Sequence, residues 1–423
     1  MSSPADSLSS TGLDPRLDST GRWLRKRVLA GLSGLRGGQL RICDADGCVM
    51  LGTADGSEPL HASLTVHDPD FYRQVGLNGS VGAGESYMDG QWSSDDLVAL
   101  VRLLVRNRDL LDGMEGGLAR LGSWALRGWH ALRRNTRNGS RRNIAAHYDL
   151  GNPLFRLFLD REMMYSSAIF APGDTLEQAS VRKLDRVCRK LDLRASDHLL
   201  EIGTGWGGMA LHAAREHGCR VTTTTISREQ HELATERVER AGLADRVTVL
   251  LEDYRELRGR YDKLVSIEMI EAVGHQYLET YFSRCTALLA PAGLALVQAI
   301  TIEDSRYEQA LRSVDFIKRH VFPGSFIPCV SAMTSAAARA GDLRLLNLED
   351  IGPSYAETLR HWRLRFLDRL DEVRALGYDD RFVRMWEFYM CYCEGGFLER
   401  SISDVQLLFA RGGNRRQPYL PGL

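Results

Sequence analysis

The sequence predicts an α/β protein: a doubly wound, Rossmann-like parallel sheet with a helical cap, preceded by a small α+β domain. Three observations carry this. From Leu176 to Ile300, strand-like apolar runs alternate with helical patterns, the arrangement that builds parallel βαβ units. The first run (Leu199, Leu200, Ile202) enters a glycine turn, Gly203 to Gly208, and Met209 to His217 follows as a helix. Before this core, Arg22 to Leu111 shows short alternating strands between helical segments.

A chain of 423 residues with 44% hydrophobic content can build two or three domains. The net charge of −1 offers no global field to recruit a polyanion, so no nucleic-acid partner is expected unless a local patch supplies one. The eight cysteines (43, 48, 188, 219, 285, 329, 391 and 393) are scattered, with no C-x-x-C and no histidine pair at ligand spacing. They read as reduced cytosolic thiols, not a disulfide frame or a zinc site, and no metal is expected. Residues 1–20, rich in Ser and Asp, are expected to be a disordered tail, neither signal peptide nor anchor. No uncharged apolar run reaches the roughly 18 residues of a spanning helix, so a cytoplasmic protein is expected.

In chain order, Arg22 to Leu32 reads as a basic amphipathic helix, with strands around Leu40 to Val49 and Ala62 to Val66. Val81 to Trp92 reads as a turn region, its Gly84, Glu85, Ser86, Tyr87 and Gly90 being turn chemistry. Asp95 to Leu111 is a strongly apolar helix capped by Asp95 and Asp96. Residues 21–115 carry no catalytic constellation and read as an accessory, lipid-associated domain. The linker, 116–142, has seven arginines and no acid between Arg120 and Arg142, with Trp124 and Trp129 among them. That composition suits an anionic membrane surface, a nucleic acid or a solvated boundary.

The large domain, 143–412, opens on His147 to Pro153 and Met163 to Ser167, and a tail covers 413–423. Strands are expected at Asp197 to Ile202, Arg220 to Ile226, Val247 to Leu251, Lys263 to Ile267 and Gly293 to Ile300. The helices between them are Met209 to His217, Ser227 to Ala241 and Gln276 to Leu289. Tyr307 to His320, Ala356 to Leu376 and Arg381 to Leu398 then read as aromatic-rich helices covering an apolar pocket, and Asp404 to Ala410 as a last edge strand.

The glycine turn also fits the dinucleotide fingerprint G-x-G-x-x-G, but the second strand ends in threonines where a nicotinamide site wants an acid. Glu201 stands two residues before Gly203, giving E-x-G-x-G-x-G, the first motif of class I S-adenosylmethionine (SAM) methyltransferases. Ligands in such sheets sit at the carboxyl ends of the strands, so Gly203 to Gly205, Thr225, Glu252 with Asp253, and Ile267 to Glu271 should share one crevice. After the fourth strand, Glu268 and Glu271 stand among methionine and isoleucine, which suits a nonpolar substrate beside a cation. Glu268 itself is read as a solvated surface group.

From Arg142 to Gly412 the sequence resembles the cyclopropane-fatty-acyl-phospholipid synthases, relatives of the mycolic acid cyclopropane synthases. The matching motifs are His147 to Asn152, Met164 to Ser166, Glu201 to Gly207, Thr225 to Gln230, Glu271 with Val273 and Gly274, Ser313 to Lys318, Val321 to Gly324, Ile351 to Tyr355 and Tyr389 to Phe397. The resemblance implies that the double bond of an unsaturated phospholipid acyl chain attacks the SAM methyl group, and that bound bicarbonate removes a proton from the resulting cation so that a cyclopropane closes. It implies SAM contacts from Tyr165, Ser166, Leu199, Glu201, Gly203, Thr204, Gly205, Trp206, Gly207, Thr225, Gln230, Glu252 and Asp253. Bicarbonate would be held by Ser167, Glu271, Gln298, Ile300 and Tyr355, with Cys393 also in the catalytic group. Peripheral contact with the inner face of the membrane and a homodimer are further implications.

Ser167 and Gln298 depart from the common bacterial pattern, which has cysteine and histidine there. A shift in base placement would favour a methyl-branched or methylated unsaturated chain, the second reading. A methyltransferase on a soluble substrate or RNA and a noncatalytic lipid-binding scaffold complete the alternatives.

Overall fold

A computed structural model describes residues 18–114 and 151–416. The basic linker at 116–142, the motif residues His147 to Leu150 and most of each terminal tail lie outside them. Ser19 and Thr20, assigned to the disordered tail, already belong to a helix (Ser19–Leu32), because the Asp18 carboxylate accepts the Gly21 N–H and caps it.

The N-terminal sheet has the order β2-β1-β3-β4, from β1 (Gly38–Asp44), β2 (Gly47–Leu51), β3 (Leu60–Val66) and β4 (Trp92–Ser93). The β1–β2 hairpin sets Cys43 opposite Cys48, and the two form a disulfide. This corrects the reading of all eight cysteines as reduced thiols, since hairpin register pairs them where spacing gave no signal. The other six are free.

The region expected to be a turn is helical: one element runs Asp70–Met88 with a bend at Gly79, where φ is 55°. Its glycines serve close packing. A Cβ on Gly84 would lie 2.3 Å from the Phe316 ring. Around it the N-terminal part docks on the rest of the chain. Glu85 pairs with Arg319 at 2.5 Å and His320 at 3.0 Å, and Tyr87 Oη donates to Glu387 at 2.8 Å. The Arg384 guanidinium lies 3.9 Å from the Tyr87 ring centre and donates to the Trp92 carbonyl at 2.6 Å. The residues read as turn chemistry form this seam. Gly84→Val is expected to cost about 1–3 kcal/mol by overpacking against Phe316, read as a lowered midpoint in urea unfolding.

The second sheet has the order β10-β11-β9-β8-β5-β6-β7. Its strands are β5 (His198–Ile202), β6 (Arg220–Thr225), β7 (Val247–Leu251), β8 (Tyr261–Ile267), β9 (Leu289–Ile302), β10 (Arg344–Asp350) and β11 (Ile402–Ala410). The run β7-β6-β5-β8-β9 is parallel, as the alternation predicted, while β11 and β10 add antiparallel pairs. The closing strand is therefore interior, buried from Asp404 to Ala410, and the edge belongs to β10. β10 escaped the sequence reading because it is half-exposed and lacks a clean alternation. The helix expected over Tyr307 to His320 is split into Tyr307–Arg312 and a π turn at Ile317–Val321. The one over Ala356 to Leu376 is split into Gly352–Asp368 and Leu370–Ala375. Among the described residues, no helix is long and apolar enough to cross a membrane.

Candidate active site

At the carboxyl end of β5 the chain turns through Gly203, Gly205 and Gly207 with φ of 102°, 50° and 85°, values that glycine adopts without steric cost. The helix Gly208–His217 follows, so free N–H groups face the crevice. Among the described residues nothing lies within 4 Å of where a Cβ on Gly205 would sit, which leaves room for close approach of a ligand. Glu201 is buried beneath the turn, where its Oε2 accepts the Thr223 hydroxyl at 2.6 Å, and burial lifts its carboxyl to about 8. Thr225 donates to Gln230 Oε1 at 2.8 Å at the end of β6. Asp253 is held by Arg255 at 2.6 Å.

Across the crevice, Asp160 accepts the Glu162 and Met164 N–H groups at 2.9 and 2.8 Å and shapes the loop that presents Tyr165, Ser166 and Ser167. Aromatic rings close over this loop. Tyr165 lies 5.2 Å from both Phe155 and Trp362, and its hydroxyl is 3.1 Å from that of Tyr389. Trp206 Nε1 donates to Asn152 Oδ1 at 2.6 Å, tying the glycine turn to the same aromatic group. Below Ser166, Lys183 is completely buried and donates to the Ser166 hydroxyl at 2.8 Å. Burial lowers its ammonium to about 8 against the pull of Glu268, Asp160, Asp404 and Glu201.

Glu268, read as solvated, is the hub of the site. Its Oε1 accepts the Ser167 backbone N–H and Gln298 Nε2, both at 2.8 Å, and its Oε2 accepts the Tyr355 hydroxyl at 2.7 Å. Glu271 Oε1 accepts the Ile300 N–H at 2.6 Å, and burial together with the Glu268 charge raises its carboxyl to about 8. The Ser167 hydroxyl turns away onto the Ala168 carbonyl at 2.9 Å, so its backbone is what the site uses. The residues implied for bicarbonate do come together, but Glu268 or Glu271 already takes the N–H or O–H of Ser167, Gln298, Tyr355 and Ile300. They do not fit a bound bicarbonate. The expectation that Glu268 is solvated failed because an acid among apolar residues was judged by its type, while the fold turns it onto three donors.

One cavity of about 890 Å³ joins these groups. Tyr165, Ser166, Glu201, Gly203, Thr204, Gly205, Trp206, Thr225, Gln230, Glu252, Asp253, Glu268, Glu271, Ile300, Tyr355 and Cys393 line it. Leu199, Gly207, Ser167 and Gln298 do not. Leu199 points into the core beneath the sheet, Gly207 is the N-cap of the helix after the turn, and Gln298 is buried behind Glu268. Cys393 lines the cavity, and burial pushes its thiol far up. The cavity continues past Phe388 and Tyr392 to Leu24, Val28, Ile42, Leu64 and Phe71. The N-terminal part, read as lacking a catalytic role, thus supplies much of the apolar wall.

The described residues hold one group with metal-ligand chemistry. Cys188, His212 and His217 come within 4.8 Å of one another although no spacing in the sequence marks them. None lines the cavity, and His212 Nε2 is engaged by Asp185 at 2.9 Å.

The glycine turn, the acid beneath it and the open space above Gly205 fit SAM, which supplies an electrophilic methyl group when bound. The family model described as mycolic acid cyclopropane synthetase matches residues 135–407. Tuberculostearic acid methyltransferase UfaA1 of Mycobacterium tuberculosis is 39% identical over 86% of this chain and 86% of its own length. The cyclopropane-fatty-acyl-phospholipid synthase of Escherichia coli K12 is 37% identical over 85% of this chain and 90% of its own. The mycolic acid cyclopropane synthase CmaA1 of known structure, complexed with SAH and CTAB, aligns with a TM-score of 0.60 and 27% identity over 64% of this chain and 98% of its own. With its class I methyltransferase sheet and this cavity, the chain belongs to the mycolic acid cyclopropane synthetase family, SAM-dependent methyltransferases that act on unsaturated lipid chains.

Proposed function

We propose that this enzyme transfers a one-carbon unit from SAM to the double bond of an unsaturated acyl chain carried by a membrane phospholipid. The single observation that carries the reading is the continuous cavity, which joins the glycine turn to an apolar channel walled by both parts of the chain. An acyl chain needs such a channel, whereas a soluble polar substrate would need more convergent polar groups. The relatives that act on fatty acyl chains by name support it.

In this reading Glu201, Gly203, Thr204, Gly205 and Trp206 hold the amino-acid and ribose end of SAM, Thr225 with Gln230 the ribose, and Glu252 with Asp253 the adenine edge. Leu199 and Gly207 act by shaping the turn. Tyr165 and Ser166 cap the sulfonium, and the aromatic cluster excludes water, which an alkene needs because it is a poor nucleophile. Glu271 and Tyr355 belong to the catalytic group, Gln298 and the Ser167 backbone position it from behind, and Cys393 lines the cavity. The substrate headgroup would remain at the inner face of the membrane.

The cyclopropane is the first reading of the product. A methylated unsaturated chain is the second, favoured by the similarity to tuberculostearic acid methyltransferase UfaA1. The test is purified enzyme with labelled SAM and vesicles of monounsaturated phospholipid, followed by mass spectrometry of the fatty acid methyl esters. A gain of CH2 that resists mild hydrogenation identifies the ring, one that takes up hydrogen identifies the methylated alkene, and no lipid product overturns the proposal.

A further inference from the structure

We propose that the side chain of Glu268 replaces the diffusible bicarbonate expected from the sequence and is itself the base that takes the proton after methyl transfer. This rests on the lipid reading above.

The geometry is that of an anion cradle already filled by the chain. Two donors of fixed sense, the Ser167 backbone N–H and Gln298 Nε2, converge on Glu268 Oε1 at 2.8 Å each, and Tyr355 completes the set at Oε2. An oxygen that accepts two N–H bonds carries no proton, so Oε1 is held unprotonated, and Oε2, which takes only the Tyr355 hydroxyl, keeps a lone pair for the proton that a base must take. Gln298 is locked in this sense, since its Nε2 also donates to Asp404 Oδ2 at 2.9 Å and its Oε1 accepts Gln406 Nε2 at 3.0 Å. A histidine at 298 could not meet both demands, which accounts for glutamine at this position. Burial lifts the carboxyl above its ordinary range, while Tyr355, Ser167, Lys183 and Gln298 pull it back.

The backbone adds an independent observation. Glu268 has φ of 48°, one of four non-glycine residues with positive φ among those described. Glycine would hold that conformation at lower cost, and strain of this kind persists where a side chain is needed. Glu268 lines the cavity, and its neighbour Met269 packs 3.3 Å from the Cβ position of Gly203, so the carboxylate opens beside the SAM turn.

The step balances without a further reactant. The alkene π pair bonds to the methyl carbon of SAM, the carbon–sulfur pair leaves with sulfur as S-adenosylhomocysteine, and the far alkene carbon becomes cationic. Glu268 accepts a proton from the new methyl group, the freed C–H pair closes the ring, and the proton leaves to solvent on product release. Proton loss that forms a double bond instead gives the methylated alkene, with the same gain of CH2. A saturated methyl branch would need a separate reductant.

The test compares three proteins for turnover, SAM affinity by calorimetry, and binding of carbon-13 bicarbonate by line broadening. Wild type is expected to keep full turnover in carbon-dioxide-free buffer and to bind no bicarbonate. Glu268→Gln keeps the cradle filled but removes the base, so turnover falls about a hundredfold or more with SAM affinity retained and no rescue by bicarbonate. Glu268→Gly relieves the positive-φ strain, empties the cradle and binds bicarbonate, and added bicarbonate restores turnover about tenfold or more, as a free base does when it replaces a tethered one. Wild type that needs or binds bicarbonate, Glu268→Gln with normal turnover, or Glu268→Gly that neither binds bicarbonate nor is rescued would each overturn the assignment. The binding arm is read without substrate, so it stands apart from failure of the lipid reading.

Discussion

Lys183→Met is expected to destabilise the protein by about 3–5 kcal/mol near pH 7 and to weaken SAM binding with it, because it removes the cation from a buried group of acids. Lys183 is completely buried, its only hydrogen bond among those described goes to Ser166, and Glu268, Asp160, Asp404 and Glu201 act on it through their charges. Burial already raises Glu201 to about 8 and Asp404 well above the carboxylate range. Without Lys183 these carboxyls rise further. The sign follows from proton counts. Between the ordinary glutamate value near 4.5 and about 8, the folded protein holds protons that the unfolded chain has released, so stability falls as pH rises through that window. In the variant the fall continues above pH 8, whereas below about 4.5 the acids are neutral in both states, the wild type alone keeps a buried ammonium whose own value burial has lowered to about 8, and the deficit reverses. Urea unfolding of the two proteins from pH 4.5 to 9 measures this. A deficit independent of pH would mean that Lys183 acts through packing alone.

Lys183 marks where the sequence was harder to read. The parallel core was legible because βαβ alternation and the glycine turn are local patterns, set by residues that neighbour one another along the chain. The SAM crevice followed from them by the rule that ligands sit at strand ends. Groups brought together from distant segments left weaker traces. Lys183 sits on the apolar stripe of the helix Leu176–Leu191, in line with Ala179, Leu184 and Val187, and a lysine on such a stripe was an available signal of a buried charge. Glu268 carried one too, an acid in Ile267-Glu268-Met269-Ile270, but its three donors come from residues 167, 298 and 355. The Cys43–Cys48 pair depends on hairpin register, and the helix through Gly82 and Gly84 depends on the Phe316 ring that packs against it. Tertiary packing overrides local turn preference in that last case.

Glu271→Gln is expected to cut turnover about a hundredfold, roughly 2.7 kcal/mol of transition-state stabilisation, while leaving SAM affinity nearly unchanged. The fold supports the split. Glutamine can still accept the Ile300 N–H through its carbonyl oxygen, which replaces Glu271 Oε1 at 2.6 Å, so the strand end and the loop keep their positions. Among the described residues, Glu271 Oε2 is buried with no hydrogen-bond partner, an arrangement that is costly in the resting protein and useful only if something else meets it during the reaction. A positive charge developing on the acyl chain would do so. Glu271 is raised to about 8 by burial first and by the Glu268 charge second, and a cation in the cavity reverses both effects and draws it to the carboxylate. Glu268 would then remove the proton while Glu271 stabilises the cation it came from. Because Glu271 must be ionised for this, kcat/KM of the wild type, which reports the free enzyme, should rise with pH toward about 8, and Glu271→Gln should flatten that rise. A pH profile of kcat/KM for both proteins, with SAM affinity measured in parallel, tests the two claims together. Equal loss of SAM affinity and turnover, or a profile unchanged by the substitution, would assign Glu271 to holding the loop and leave cation stabilisation to Glu268 and Tyr355.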